Sequence, residues 1–202
     1  MRQKLRYWSL LTNYKLTVSY RGNRFFGSQY QPDKRTVEGE LKKTVNKLYK
    51  RPVKMVFSGR TDAGVHAEAQ VVNFSAVECI PVDKISQAFN AVLPLDISVK
   101  KADVVSDKFH ARHSAKQRHY CYLFSDKEVP NECQDFVSHL PVHVNEEKFD
   151  CFKEILLGTH WFGRYCKSER KEKRLERTVF KLDLTKKSRR LLHSEKEWHY
   201  YR

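Results

Sequence analysis

The feature that most constrains the fold is the order of strand-like and helix-like segments between Tyr14 and Val105. Stretches with alternating apolar residues predict strands, and the segments between them carry apolar residues at helical spacing. Their order is strand, helix, strand, strand, helix, strand, which indicates an α+β module with antiparallel pairing, much like a ferredoxin-type half. The predicted strands are 14–20, 53–57, 69–74 and 95–105, and the predicted helices are 37–50 and 81–92.

Both predicted helices have an apolar face that can pack on a sheet. Thr36 is a good N-cap for the first helix, and Arg51 and Pro52 end it. The predicted inward-facing residues are Val37, Leu41, Val45 and Leu48 in the first helix, and Ile85, Ala88 and Phe89 in the second.

The rest of the chain predicts a second, shorter α+β half over residues 105–202, after a first half over residues 1–104. We expect strands in 117–124 and 179–187, and a helix that Asn145 caps and Gly158 ends, with a stripe of Phe149, Phe152, Ile155 and Leu156. The polar segment 126–141 is interpreted as a connection between halves. A strand from Trp198 is cut short by the end of the sequence.

The strongest bulk property is charge, because the 202 residues carry a formal net charge of +15. Such an excess favours a polyanionic partner, since Lys and Arg neutralise phosphates and release counterions. The alternative is a solvated basic surface. The sequence contains no run of about 18 apolar residues, and its N-terminal apolar run is too short for a signal peptide. We therefore expect no membrane association and a cytoplasmic location.

Cysteine and histidine usage argues against a metal site or a disulfide framework. The five cysteines are scattered without a CxxC pair, which favours reduced thiols. His110, His113, His119 and Cys121 lie near one another in sequence, but their spacing fits no standard zinc template. We expect no metal.

A charged loop in FSGRTDAGVHAEAQVVNF is the best candidate for chemistry. Gly59 and Gly64 flank Arg60 and Asp62, and His66 follows two residues later. Because the chain has only 7 glycines, these two positions should need unusual backbone geometry or close approach. Asp62 could act as a nucleophile or general base. An aspartate in a tight turn is more often a backbone cap, and the residue pattern leaves both readings open.

GRTDAGVHA, residues 59–67, resembles the active-site motif of the tRNA pseudouridine synthase A family. Further segments resemble that family in the same order: SYRGNRFFGSQYQPDKRTVEGEL (19–41), NAVLP (90–94), FHARHSAKQRHYCY (109–122) and LLGTHWF (156–162). The resemblance covers about residues 14–178. It implies the pseudouridine synthase fold, with two ferredoxin-like halves, a mainly antiparallel sheet and helices packed on one face.

The resemblance also implies an activity and its residues. Asp62 matches the catalytic aspartate that attacks the target nucleoside, Tyr120 an active-site tyrosine that packs on the uracil, and Arg60 an arginine that holds the base out of its stack. The family isomerises uridine to pseudouridine in the anticodon stem-loop of tRNA without a cofactor, commonly as a homodimer. The residues expected to contact RNA are Arg21, Arg24, Gln29, Lys34, Arg35, His66, Arg112, Lys116, Gln117 and Arg118.

The sequence departs from the family pattern in two places. Ser28 occupies a position that often holds tryptophan, and we expect stacking or packing to be lost there. The family's C-terminal segment, which supplies a basic partner for the catalytic aspartate and dimer contacts, is not among these 202 residues. We therefore expect an impaired or inactive chain. Two alternatives to an enzyme are a non-catalytic RNA-binding homologue and a basic α+β protein that binds DNA, although the latter lacks a recognition-helix or zinc-finger signature.

Overall fold

The computed structural model describes residues 11–165, 175–190 and 197–202. The chain separates into two compact units, Met1–Arg118 and His119–Arg202. The predicted halves divide after residue 104 instead, and that assignment stays a prediction. The observed division keeps the segment just after residue 105 with the first unit. Asn13, in the first strand of that unit, donates to the backbone oxygens of Ser106 and Phe109 in this segment.

The first unit is built on a sheet of four strands, β1 (Leu11–Tyr20), β2 (Met55–Phe57), β3 (Ala67–Val77) and β4 (Ile97–Val105). Their order in the sheet is β2-β3-β1-β4. All neighbouring pairs are antiparallel. The four strands occur where the alternating patterns predict them, with ends that differ by a few residues.

Two helices complete the first unit, α1 (Val37–Tyr49) and α2 (Val82–Asn90). The hydroxyl oxygen of Thr36 accepts from the N–H of Gly39 at 3.2 Å, which confirms the predicted N-cap. Lys50 has a left-handed backbone (φ 55°) and ends α1 just before Arg51 and Pro52. The chain order is therefore βαββαβ, as predicted for a ferredoxin-like half.

One hydrophobic core joins both helices of the first unit to one face of the sheet. Alternate residues of β1, at positions 14, 16, 18 and 20, are buried in it, as the period of a strand requires. The predicted helix faces are confirmed, since Val37, Leu41, Val45, Ile85 and Phe89 are fully buried and Leu48 is partly buried. Ala88 is partly buried as well.

The described part of the second unit contains one helix and smaller sheets. The elements are β5 (Phe124–Ser125), β6 (Ser138–His139), α3 (Glu146–Leu156), β7 (Gly158–Trp161), β8 (Glu176–Val179), β9 (Lys186–Arg190) and β10 (Glu197–Tyr201). One sheet has the strand order β6-β5-β10-β9, in which β5 and β6 are parallel and the other pairs are antiparallel. Strands β7 and β8 form a separate antiparallel ribbon.

Helix α3 begins and ends as predicted, but the described residues bury its apolar stripe only in part, since Phe149 and Leu156 are partly buried while Phe152 and Ile155 are exposed. The side-chain oxygen of Asn145 accepts from the N–H of Lys148 at 2.8 Å, and Gly158, with φ +103°, follows the last turn. Within the described residues, no side chain of α3 is buried, and Ile155 is 70% exposed. A helical pattern therefore predicts the helix here without predicting a partner for its face.

Three predictions for the second unit are wrong. The strand predicted over 117–124 is reduced to β5, because only Phe124 and Ser125 pair with neighbouring strands. The strand predicted over 179–187 is interrupted, since β8 ends at residue 179 and β9 begins at 186. The segment 126–141 does not connect two halves but supplies Val129, Cys133 and Val137 to a small core with Trp198.

Most of the basic run 166–178 and the N-terminal basic stretch lie outside the described residues. In the part that is described, the architecture is α+β with mainly antiparallel strands. The predicted fold class is confirmed.

Candidate active site

The loop that carries Asp62 connects β2 to β3 and is anchored where it leaves β2. Ser58 donates its backbone N–H to the carbonyl of Val71 at 2.8 Å. The side chain of Gln70 donates to the carbonyl of Gly59 at 2.7 Å and accepts from the Ser58 hydroxyl at 2.7 Å. Arg118 donates to the carbonyl of Ser58 at 2.7 Å. These bonds fix the first residues of the loop against β3 and Arg118.

The middle of the loop is held at Thr61 by two buried side chains. The Thr61 N–H donates to the hydroxyl of Ser28 at 2.8 Å, and the Ser28 N–H donates back to the Thr61 carbonyl at 3.0 Å. The hydroxyls of Tyr20 and Thr61 are 2.9 Å apart. Burial raises the pKa of Tyr20 above its usual value, so this hydroxyl stays neutral at physiological pH. Thr61, the residue before Asp62, is therefore bound through its backbone and its side chain.

Two glycines allow the segment before α1 to approach the loop closely. Gly27 has φ +88°, and a Cβ there would lie 2.9 Å from the Thr61 carbonyl oxygen. A Cβ at Gly22 would collide with the carbonyl of Val65. Between these points the Gly64 N–H donates to the carbonyl of Phe25 at 3.3 Å. Residues with a side chain at these two positions would push the loop away.

Only part of the predicted glycine requirement within the loop is met. Gly64 has φ +81°, a left-handed conformation that favours glycine, and a Cβ placed on it would have no atom within 4 Å. A Cβ at Gly59 would meet the Arg118 side chain at 3.5 Å, which is ordinary contact. The close approach expected for Gly59 and Gly64 occurs instead at Gly22 and Gly27, in the neighbouring segment.

Asp62 and Arg60 lie on the exposed side of this supported loop. The Asp62 carbonyl accepts from the Val65 N–H at 3.3 Å, which closes a turn, while the side chain remains accessible to solvent. A solvent-accessible carboxylate on a backbone fixed by hydrogen bonds can act on a large substrate that approaches the surface. It can attack the substrate as a nucleophile or accept a proton from it. Neither catalytic role is tested by the geometry, and both stay predictions.

His66 closes the loop against the segment before α1. Its Nδ1 accepts from the Gly22 N–H at 3.2 Å, so this ring nitrogen carries no proton in the observed geometry. The predicted RNA contact of His66 stays a prediction, and the structure adds a role within the protein.

Arg35 is also engaged within the protein. Its guanidinium donates two bonds to the carboxylate of Asp96, at 2.7 and 2.9 Å, and lies 4.2 Å from the centre of the Phe25 ring. The guanidinium lowers the pKa of Asp96 below its usual value, chiefly through these hydrogen bonds. The Asp96 carbonyl in turn accepts from the Arg21 N–H at 2.9 Å. This pair fixes the segment that supports the Asp62 loop.

The FHAR segment is fixed by two buried asparagines. Asn73 in β3 donates to the side-chain oxygen of Asn13 at 3.0 Å and accepts from the Ala111 N–H at 2.8 Å. Asn13 reaches the carbonyl of Phe109 at 3.1 Å. The remaining predicted RNA-contacting residues of the first unit are exposed: Arg21, Arg24, Gln29, Lys34, Arg112, Lys116 and Gln117.

Tyr120 lies in the second unit, in a stretch without strand structure, and is 85% exposed. Its predicted packing on the uracil stays a prediction.

Sequence reasoning missed the residues that support the loop. Ser28 was expected to lose a contact, yet its side chain is 1% exposed and bonded to Thr61. Gln70, which supports the loop, and Asn73, which holds the FHAR segment, both lie in a predicted strand, and a polar side chain inside an apolar strand is a signal of buried hydrogen bonding. Tyr20 gave no signal beyond strand pairing.

Within the described residues, no group of three or more His, Cys, Asp or Glu side chains could hold a metal ion. A search of the same residues finds no helix long and apolar enough to span a membrane.

Comparisons with known proteins identify relatives over most of the chain. The sequence model of the tRNA pseudouridine synthase family matches residues 16–114. A tRNA pseudouridine synthase A of Bacillus licheniformis is 41% identical over 172 residues, which are 84% of this chain and 70% of that protein. The tRNA pseudouridine synthase A of Dictyoglomus turgidum is 39% identical over 79% of this chain and 66% of that protein. The one of Bacillus subtilis is 38% identical over 85% of this chain and 70% of that protein. The chain thus spans about two thirds of the length of these relatives.

Proposed function

The chain belongs to the tRNA pseudouridine synthase family, and we propose that it isomerises uridine to pseudouridine in the anticodon stem-loop of tRNA. The observation that carries this proposal is the placement of Asp62, exposed on a loop that Ser28, Tyr20 and Gln70 hold from behind. The relatives of Bacillus licheniformis and Bacillus subtilis, 41% and 38% identical to this chain, are each named tRNA pseudouridine synthase A, which supports the proposal.

The reaction moves one bond of the substrate. The bond between N1 of uracil and C1′ of ribose breaks, the ring turns, and C5 forms the new bond to C1′. The proton on C5 then leaves, and N1 gains a proton. In our proposal Asp62 attacks the nucleoside to start this sequence and is released at its end, so no net oxidation occurs and no co-reactant is needed.

The target base must leave its stack before Asp62 can reach it, because a stacked nucleotide hides both the glycosidic bond and the ring face. We propose that Arg60, two residues before Asp62 and exposed beside it, holds the extruded nucleotide. Tyr120 is proposed to pack on the uracil.

We propose that the exposed basic residues of the first unit contact the tRNA backbone. The formal net charge of +15 supports a polyanionic substrate, and backbone contacts position structured RNA. Arg35, Arg118 and His66 are proposed to contact RNA while they also support the loop segment, since each has a hydrogen-bond partner inside the first unit. A homodimer and a cytoplasmic location are part of the same proposal.

Tritium release tests the function directly, because the proton on C5 is lost in every turnover. tRNA carrying tritium at C5 of uridine should release it to water when the chain is added, which would reject the expectation of an inactive chain, and Asp62→Asn should abolish release. Binding of tRNA should be retained in Asp62→Asn, since the substitution removes no cation.

Asp83→Asn is the matched control, because Asp83 is an exposed carboxylate at the start of α2, and it should keep wild-type release. Release by Asp62→Asn at the wild-type rate would reject the catalytic assignment. Tight tRNA binding without release by the wild-type chain would instead favour the alternative, a homologue that only binds RNA.

A further inference from the structure

Two aromatic rings are exposed on the segment that precedes α1. Phe26 is 51% exposed and Tyr30 is 52% exposed, whereas the neighbouring Phe25 is 3% exposed and belongs to the core. The backbone at Phe25 is extended (φ −116°, ψ 138°), so consecutive side chains point to opposite sides. The ring of Phe26 therefore faces solvent because Phe25 faces inward.

The backbone under both rings is fixed by hydrogen bonds. The Phe26 N–H donates to the Arg35 carbonyl at 2.9 Å, and its carbonyl accepts from the side chain of Gln31 at 2.7 Å. The Tyr30 N–H donates to the carboxylate of Glu38 in α1 at 2.9 Å. Rings on a fixed backbone lose little conformational freedom when a ligand binds to them.

Each ring has an ammonium group beside it. The Nζ of Lys34 lies 4.6 Å from the centre of the Phe26 ring. The Nζ of Lys42 lies 5.1 Å from the centre of the Tyr30 ring and is also paired with the Glu38 carboxylate at 2.7 Å, so Lys34 is the better placed of the two to meet a phosphate. Lys34 lies over one face of the Phe26 ring and Lys42 over one face of the Tyr30 ring. The two aromatic residues nevertheless remain about half exposed to solvent. A flat apolar surface next to a cation matches a nucleotide, which presents a planar base next to a phosphate.

The segment that carries Phe26 and Tyr30 adjoins the loop that carries Asp62. The carbonyl of Phe25 accepts from the Gly64 N–H, and a Cβ on Gly27 would touch the Thr61 carbonyl, so Phe26 lies between two backbone contacts with this loop. A base stacked on Phe26 would therefore lie near the nucleotide that reaches Asp62.

We propose that Phe26 and Tyr30 form a stacking platform for unpaired bases that flank the target uridine in the RNA loop. The proposal rests on the proposed function, because it takes an RNA loop as the substrate. Scattered exposed aromatic residues are normal on protein surfaces. These two differ because they share one fixed segment, each lies beside a lysine, and the segment supports Asp62.

The test uses the full chain and an anticodon stem-loop RNA with 2-aminopurine beside the target uridine. Stacking of this base on an aromatic ring changes its fluorescence, and anisotropy of a labelled RNA gives the affinity. Phe26→Leu and Tyr30→Leu keep apolar bulk but remove the ring. Phe26→Tyr and Tyr30→Phe keep the ring, and Phe180→Leu removes an exposed ring from the second unit.

We expect each leucine variant to bind the stem-loop roughly tenfold more weakly, since stacking contributes on the order of one decade per base. The fluorescence change of 2-aminopurine should be lost with it. The ring-keeping variants and Phe180→Leu should behave as wild type. Binding of a fully paired RNA duplex should not change in any variant, because its bases are not available for stacking.

Wild-type affinity and fluorescence in both leucine variants would overturn the proposal. An equal loss of duplex binding would overturn it as well, since it would show a general change of the surface. If Phe26→Leu does not fold, Tyr30→Leu decides the question. The expected pattern without any tritium release would support the platform while rejecting the isomerase.

Discussion

Helices α1 and α3 have similar amphipathic patterns but differ in how far their apolar side chains are buried. In α1 the side chains of Val37, Leu41 and Val45 are fully buried against the first-unit sheet. In α3 the matching stripe includes Phe152 and Ile155, which are 52% and 70% exposed. The comparison teaches that a helical pattern determines the helix, while burial depends on the elements that pack against it.

The difference extends to the candidate site. The loop that carries Asp62 belongs to the unit with the extensive core, and buried residues of that unit hold it at Thr61. Tyr120 belongs to the unit whose described core has four buried residues, and it is exposed. We therefore expect the structural support for catalysis to be concentrated in the first unit.

The largest expected effect is a difference in stability between two alanine substitutions. Leu41→Ala should lower the free energy of unfolding by about 3 kcal/mol, because it leaves a cavity at a fully buried position. Ile155→Ala should change it by less than about 0.5 kcal/mol, because the side chain is exposed. Urea denaturation followed by circular dichroism measures both.

This pair also shows how the comparison could fail. A loss above about 1 kcal/mol for Ile155→Ala would mean that the stripe of α3 is covered in solution, since exposed positions seldom cost so much. A small effect of Leu41→Ala would contradict the single core of the first unit.

A smaller effect is expected at the ion pair that fixes the segment before α1. Asp96→Asn should lower the free energy of unfolding by about 1–2 kcal/mol at neutral pH. The asparagine side chain has no negative charge and offers only one of the two oxygens that accept from Arg35. Arg35 lowers the pKa of Asp96, so the pair stabilises the fold fully above the usual carboxyl pKa of about 4. This contribution is lost as the pH falls below that value.

The measurement is the difference in unfolding free energy between wild type and Asp96→Asn as a function of pH. It should be constant from neutral pH down to about 5 and shrink in more acid solution. The control is Asp83→Asn, whose exposed carboxylate lies 3.8 Å from Lys84 and should contribute little. A difference that persists unchanged at low pH would contradict the role of the ion pair.

The first unit could largely be predicted from the sequence because its signals are local. Alternation in β1, the Thr36 cap and the apolar face of α1 each specify structure within a few residues. The second unit was less predictable, since the strand expected over 117–124 depends on partners distant in sequence. Phe124 pairs with Tyr201, and residues 117–123 have no strand structure.

The sequence does not predict the hydrogen bonds that support the candidate site. The roles of Asp62, Arg60 and Tyr120 rest on the resemblance to family motifs and stay predictions. Ser28 binds Thr61 across 33 positions of sequence, and no local pattern predicts such a bond. At the position where the resemblance implies tryptophan, this chain has a buried hydroxyl.

The smallest expected effect on stability concerns this bond. Ser28→Ala leaves the Thr61 N–H without its acceptor, which should cost about 1 kcal/mol or somewhat more. The core of the first unit should remain folded, because residue 28 lies outside its strands and helices. The consequence should therefore be local to the loop that carries Asp62.

Amide hydrogen exchange at Thr61 tests most directly whether the segment before α1 holds this loop. In wild type the Thr61 amide should be protected, and in Ser28→Ala it should exchange roughly tenfold faster or more, as expected for a local loss of about 1.4 kcal/mol. The Ser58 amide, which donates to Val71 at the loop entrance, should exchange equally in both proteins. Equal exchange at Thr61 in the two proteins would contradict the account.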